Sequence, residues 1–135
     1  MSDELWFTKI GSVIFTQFKT RTKGILSPKF PKLKFTSDGE NLENTKLPTV
    51  YFRELTPAER GMTLDNTSVN ALFETIQITV YSQERKDVTE IMNACVLGMK
   101  QLRFSISGFP IYDRKKDIHY CVARFRRMIG EGDVF

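Results

Sequence analysis

The sequence is poor in the residues on which most catalytic and metal sites depend. It contains one histidine, His119, and two cysteines, Cys95 and Cys121, among its 135 residues. A single histidine excludes His-rich zinc sites, and the two distant cysteines lack the close pairing of a zinc knuckle. No Gly-x-Ser-x-Gly elbow accompanies the histidine. We therefore predict a protein that is not an enzyme, with no catalytic residues, no metal and no cofactor.

Long apolar runs are also missing. No stretch approaches the roughly 18–20 apolar residues that a membrane-spanning helix needs. Asp3 and Glu4 place acids where a signal peptide carries positive charge. We expect a protein made in a cytoplasm-like compartment, with no membrane partner. In such a compartment Cys95 and Cys121 should be free, buried thiols.

Length and composition predict a single domain spanning residues 1–135. The chain is 41% hydrophobic, which is enough for one core, and its 27% of charged residues have both signs. Twenty lysines and arginines against 16 acids give a net charge of +4. A nucleic-acid-binding domain of this size usually has a denser, one-sided basic stripe.

The first half alternates helical and extended patterns. Apolar residues at helical spacing predict a helix from Ser2 to about Lys23, with Gly24 as its stop. Extended segments are predicted at Phe30–Thr36 and at Thr49–Leu55. Two polar connections, Ser37–Lys46 and Thr56–Asn70, follow these two segments.

The second half contains the clearest strand and helix. Leu72–Tyr81 alternates in the manner of a strand, and about Glu84–Phe104 has one apolar helical stripe. Phe109–Tyr112 and Ile118–Ile129 can pair as a hairpin after Gly108-Phe109-Pro110 ends the helical region. The order predicts an α+β fold, a small mainly antiparallel sheet with two helices packed on one face. The residues expected to be buried together are Ile76, Ile78, Val80, Ile91, Cys95, Met99 and Phe125.

Two groups of residues are candidates for contacts with other subunits. The Thr56–Asn70 connection is long for a compact domain, and such loops often have a function. Its apolar residues can bury against a neighbour or against their own core, and the sequence favours neither. The candidates are Glu59, Arg60, Met62 and Leu64.

The second group is Arg124, Arg126 and Arg127. Arg124 and Arg126 alternate with Ala123 and Phe125 and should share one face of the last strand. They can form a basic surface for phosphates or an acidic partner. They can equally be an exposed sheet face or edge kept soluble by charge.

Nearly the whole chain resembles a known protein family. The resemblance is strongest in the strand that reads Pro-Thr-Val-Tyr-Phe, residues 48–52, and in the ending Ala-Arg-Phe-Arg-Arg-Met-Ile-Gly, residues 123–130. These segments look like the small tail-completion proteins of long-tailed phages of Gram-positive bacteria, also called tail terminators or tail-to-head joining proteins.

The resemblance implies a virion structural protein. Its subunits would form a ring with copies of themselves, expected to be sixfold, on the head-proximal end of the tail tube. The ring would contact the tail tube protein and the head-closure or connector protein, stop tube growth and join tail to head. DNA would pass through its lumen without sequence-specific binding.

Two alternatives stay open from the sequence. One is another neck, head-closure or minor capsid component, which differs in position but not in class. The other is a small nucleic-acid-binding module that uses the arginines and aromatic residues.

Overall fold

The computed structural model describes residues 9–37, 48–55, 58–62, 69–130 and 132–135, with backbone alone at 58–62 and 69–72. It has an α+β architecture in which both helices pack against one sheet, as predicted. The elements are α1 (Ile10–Leu26), β1 (Lys34–Thr36), β2 (Thr49–Glu54), β3 (Ala58–Met62), β4 (Val69–Ser82), α2 (Arg85–Gln101), β5 (Ser105–Lys115) and β6 (Ile118–Gly130).

The sheet is built around β4, which is 14 residues long. Its strand order is β1-β2-β4-β6-β5, and β3 pairs with the first part of β4 on the same side as β2. β1 and β2 are parallel, and every other pair is antiparallel. Ile78 of β4 therefore lies between Phe52 of β2 and Ala123 of β6.

The hydrophobic core lies between the helices and one face of the sheet. β4 alternates along its length, so that Ile76, Ile78 and Val80 point to the same side and have no exposed surface. The apolar stripe of α2 packs onto them, and Ile14 and Phe18 of α1 extend the core. The seven residues predicted to be buried together are all in this cluster, and both cysteines are buried free thiols, as expected.

The predicted end of α1, at about Lys23, is wrong by three residues. Gly24 lies inside the helix, where a Cβ would meet nothing within 4 Å, and α1 continues to Leu26. Pro28 sets the boundary because the residue before a proline is disfavoured in helical geometry. Ser27 accordingly has ψ 136°. The predicted start at Ser2 lies outside the described residues.

Two predicted boundaries in the strand region need correction. β1 pairs only over Lys34–Thr36, because the segment before it turns at Pro31 and Lys32 rather than extending from Phe30. Thr56–Asn70 is not simply a connection, since it contains β3 and the start of β4. Strand pairing is made by hydrogen bonds between backbone groups, so the polar side chains of this segment did not prevent it. Most of the Ser37–Lys46 connection lies outside the described residues.

The segment Gly108-Phe109-Pro110 was predicted to separate elements but lies within β5. The β5–β6 register shifts between Ile106 and Gly108 and again between Gly108 and Ile111. Such irregularities suit an outer strand, where a proline that cannot donate a hydrogen bond is tolerated.

Candidate assembly surface and carboxylate pair

The side of the sheet opposite the helices has a polar and aromatic surface, here called the open face. Neither described helix packs on it. It carries the residues of β2, β4 and β6 that alternate with the core: Tyr51, Arg53, Phe73, Thr75, Gln77, Thr79, Tyr81, Tyr120, Val122, Arg124, Arg126 and Met128.

Three tyrosines lie together at one end of the open face. The rings of Tyr81 and Tyr120 are 6.0 Å apart between centroids. Burial, followed by the nearby Tyr51 and Tyr120, raises the pKa of Tyr81. The hydroxyl of Tyr120 donates to Asp113 Oδ2 at 3.3 Å, and this carboxylate is the main reason why the pKa of Tyr120 is also raised.

The three arginine candidates lie on both faces of the sheet. Arg124 and Arg126 lie exposed on the open face, as expected. Arg124 Nε donates to Gln77 Oε1 at 3.0 Å, and the guanidinium of Arg126 lies 4.6 Å from the ring centroid of Phe73.

Arg127 points to the helix-covered side and contacts its own chain. Its Nη1 donates to the carbonyl of Leu102 at 2.9 Å, just after the end of α2, where a cation is favourable. Its Nη2 lies 3.3 Å from Asp133 Oδ2, and its guanidinium is 4.7 Å from the ring centroid of Phe135. Within the described chain, Arg127 therefore ties α2 and the last residues to β6.

The hairpin of β5 and β6 exposes large apolar side chains. β5 is the outermost described strand on its side of the sheet. Phe109 is 77% exposed and Ile111 is 71% exposed, while Ile118 at the start of β6 is 38% exposed. These three residues, here called the hairpin patch, are an exposed apolar surface that the sequence analysis missed. In the sequence, the signal for this patch was the pair of apolar residues that flank Pro110. The segment containing Pro110 was instead interpreted as a boundary.

The candidates in the predicted connection lie on β3. In the register, Glu59 is opposite Leu72, Arg60 opposite Ala71, and Met62 opposite Val69. Leu64 lies outside the described residues. Their role in subunit contacts stays a prediction. Because β3 pairs with β4, shortening this segment would remove strand pairing as well as a loop.

A second unpredicted feature is Glu74, a glutamate on the helix-covered face of β4. Its side chain has no exposed surface, and no described donor contacts either carboxylate oxygen. Burial, together with a hydrogen bond and repulsion from Glu54, raises its pKa to about 8. At neutral pH the protonated form is therefore favoured, and it can donate a hydrogen bond to Glu54. The sequence signal was one acid in an otherwise apolar alternation.

Glu54 reaches this position because α1 begins with a glycine nearby. A Cβ on Gly11 would lie 2.5 Å from Glu54 Oε2, so a larger residue would displace the carboxylate. The two residues lie on the same face because Glu54 is opposite Ile76, two residues along β4 from Glu74.

The cleft beside Glu54 has a volume of about 560 Å³ and is lined by Gly11, Ser12, Phe15, Thr16, Ser37, Phe52, Arg53 and Glu54. Among the residues that the structure describes, no three His, Cys, Asp or Glu side chains are grouped to hold a metal ion. The carboxylate pair can hold and release a proton within the fold.

No protein-family model matches the sequence, and no curated protein matches it. Of the two described helices, neither has the length and apolar content needed to cross a bilayer.

Proposed function

We propose that the protein is a virion structural subunit that completes a phage tail. It forms a ring on the head-proximal end of the tail tube, ends tube growth and provides the surface that joins tail to head. The family resemblance described above motivates this role. The observation that carries it in the structure is the hairpin patch.

The hairpin patch is suited to an intersubunit contact because its apolar area is exposed in the single chain. Phe109 and Ile111 are more than two-thirds exposed on an outer strand, where unpaired backbone groups are also available. Burying one such side chain contributes roughly 1.5–3 kcal/mol. A ring requires a heterologous contact, in which this patch meets a different surface of the next subunit.

The test uses tail tubes purified without their terminal ring, mixed with the protein and viewed by electron microscopy. We expect the native protein to appear as a ring at one end of each tube. A Phe109→Ser/Ile111→Ser variant should remain folded, because both side chains are exposed, and should lose most of its tube-end binding.

The matched control is Leu97→Ser, which removes a side chain that is 50% exposed on α2, away from the hairpin. It should bind tube ends as the native protein does. Native protein that never locates to tube ends would refute tail completion. Normal capping by the hairpin variant would instead show that another surface makes the contact.

A further inference from the structure

We propose that the open face binds the phosphate backbone of single-stranded nucleic acid. The site consists of Arg53, Arg124 and Arg126 with the tyrosines beside them. This proposal concerns the subunit on its own and holds whether or not the protein caps a tail.

The first argument is charge of one sign. Arg53, Arg124 and Arg126 lie exposed on the open face, and no described carboxylate is within ion-pair distance of any of them. The nearest acid on this side of the described sheet is Asp113, which is opposite Tyr120 in the register. Tyr120 is four residues from Arg124 along β6, about 13 Å in a strand. The three guanidiniums thus form a local positive surface that a polyanion complements.

The second argument is the spacing of the cations. Arg53, Gln77 and Arg124 are directly opposite one another on β2, β4 and β6. Strands separated by one neighbour are about 10 Å apart, and Arg126 is about 7 Å beyond Arg124 along β6. Gly108 lies opposite Arg124 on β5, so no side chain covers that end of the row. A guanidinium can hold one phosphate with two parallel hydrogen bonds.

The third argument is preorganisation. Gln77 Oε1 accepts from Arg124 Nε, which leaves the terminal nitrogens of Arg124 available for a ligand. Arg126 is stacked on the ring of Phe73. Two of the three cations are therefore already held above the sheet, which reduces the entropy lost on binding.

The aromatic residues favour a single strand over a duplex. Tyr51 lies two residues from Arg53 on β2, and Tyr81 and Tyr120 lie beyond it on the same face. Aromatic rings on a sheet face can stack with unpaired bases whatever the sequence. The described part of the sheet presents no helix on this side to enter a duplex groove.

Fluorescence anisotropy with labelled oligothymidylate tests the proposal. We expect salt-dependent binding, in which log K falls with log salt with a slope of about −2 for three phosphate contacts to a single strand. Arg124→Gln/Arg126→Gln should weaken binding at least about tenfold at low salt and reduce the slope to about −0.7. A duplex of equal length should bind more weakly.

The matched control is Lys86→Gln/Lys100→Gln, which removes the same charge from exposed positions on α2, on the other side of the sheet. It should change affinity less than about threefold, since only long-range charge is altered. Circular dichroism would establish that each variant is folded. If the double arginine variant misfolds, Arg53→Gln alone should still reduce affinity and slope.

Three results would overturn the proposal: no binding by the native protein at low salt, an equal loss in the α2 control, or tighter binding of the duplex. The first two would leave the arginines as solubilising residues. Tighter binding of the duplex would show that the aromatic residues do not favour unpaired bases. None of these results bears on whether rings form at tube ends.

Discussion

The two faces of β4 are made from alternate residues of one strand and obey different rules. On the helix-covered face, Ile76, Ile78 and Val80 are fully buried and their shape must fit α1 and α2. On the open face, Thr75 and Gln77 are only partly covered, and Gln77 accepts a hydrogen bond from Arg124. The comparison teaches that stability is concentrated on one face, while the other can be specialised for contact with partners.

The largest expected effect is a difference in lost stability between substitutions at two neighbouring positions, one on each face. Ile78→Ala should lower the free energy of unfolding by roughly 2–5 kcal/mol, because it leaves a cavity in the core. Gln77→Ala, one residue away on the open face, should cost less than about 1 kcal/mol. Denaturant unfolding measures both. Similar losses at the two positions would break the contrast between the faces.

The next effect concerns the described acid that is buried on the covered face. Glu74 has its pKa raised to about 8 by burial and by Glu54. Between the unfolded pKa and about 8, the folded state holds a proton that the unfolded state has released. The contribution of Glu74 to the free energy of unfolding is therefore greatest in acid, and it is lost as pH rises through this window.

Glu74→Gln should remove that pH dependence, because the amide resembles the protonated acid in shape and can still donate to Glu54. At pH 8 the variant should be more stable than the native protein by on the order of 1–3 kcal/mol, and near pH 5 the two should converge. Glu84→Gln, an exposed carboxyl before α2, is the control and should follow the native curve. If the stability of the native protein did not fall relative to that of Glu74→Gln as pH rises, the result would contradict the protonation assigned to Glu74.

A smaller effect distinguishes a substitution on the buried side of a helix from one on an exposed side. A Cβ at Gly98 of α2 would lie 2.6 Å from Thr22 Oγ1 of α1, where the helices are in close contact. Gly98→Ala should therefore cost about 1–3 kcal/mol through overpacking. Gly24→Ala faces open space within α1 and should stabilise by about 0.5–1 kcal/mol.

Thermal unfolding distinguishes these substitutions. Adding Thr22→Ala to Gly98→Ala should recover at least half of the loss, since the clash involves the threonine side chain. If Gly98→Ala were neutral, the two helices would not be held at the distance that the structure shows.

Periodicity predicted the covered face well and the rest of the sheet less well. β2, α2 and the β5–β6 hairpin were recognised because their apolar residues repeat with the period of the element. β3 was missed because Glu59, Arg60 and Gly61 have no such repeat, and its pairing depends on the long β4 beside it. The end of α1 was misplaced because a glycine was weighed above a proline.

The candidate sites were the least predictable part. The sequence could place Arg124 and Arg126 on one face, but could not show that Arg53 joins them, because that depends on the order of strands in the sheet. From the sequence, Glu74 could not be distinguished from any other strand glutamate, because only its register places it in the core. The hairpin patch could not be recognised while Pro110 was taken as an end.

The outer strands on the two sides of the described sheet have unequal capacity to recruit further strands. β1 has three residues, begins with exposed Lys34 and is preceded by exposed Pro31 and Lys32, whereas β5 has 11 residues and carries exposed Phe109. Fibrillar growth by strand addition requires two receptive edges on each molecule, one to join and one to be joined. With one edge blunted, strand addition would stop after two copies paired through β5. This asymmetry would keep even a concentrated solution of the protein from polymerising by strand addition.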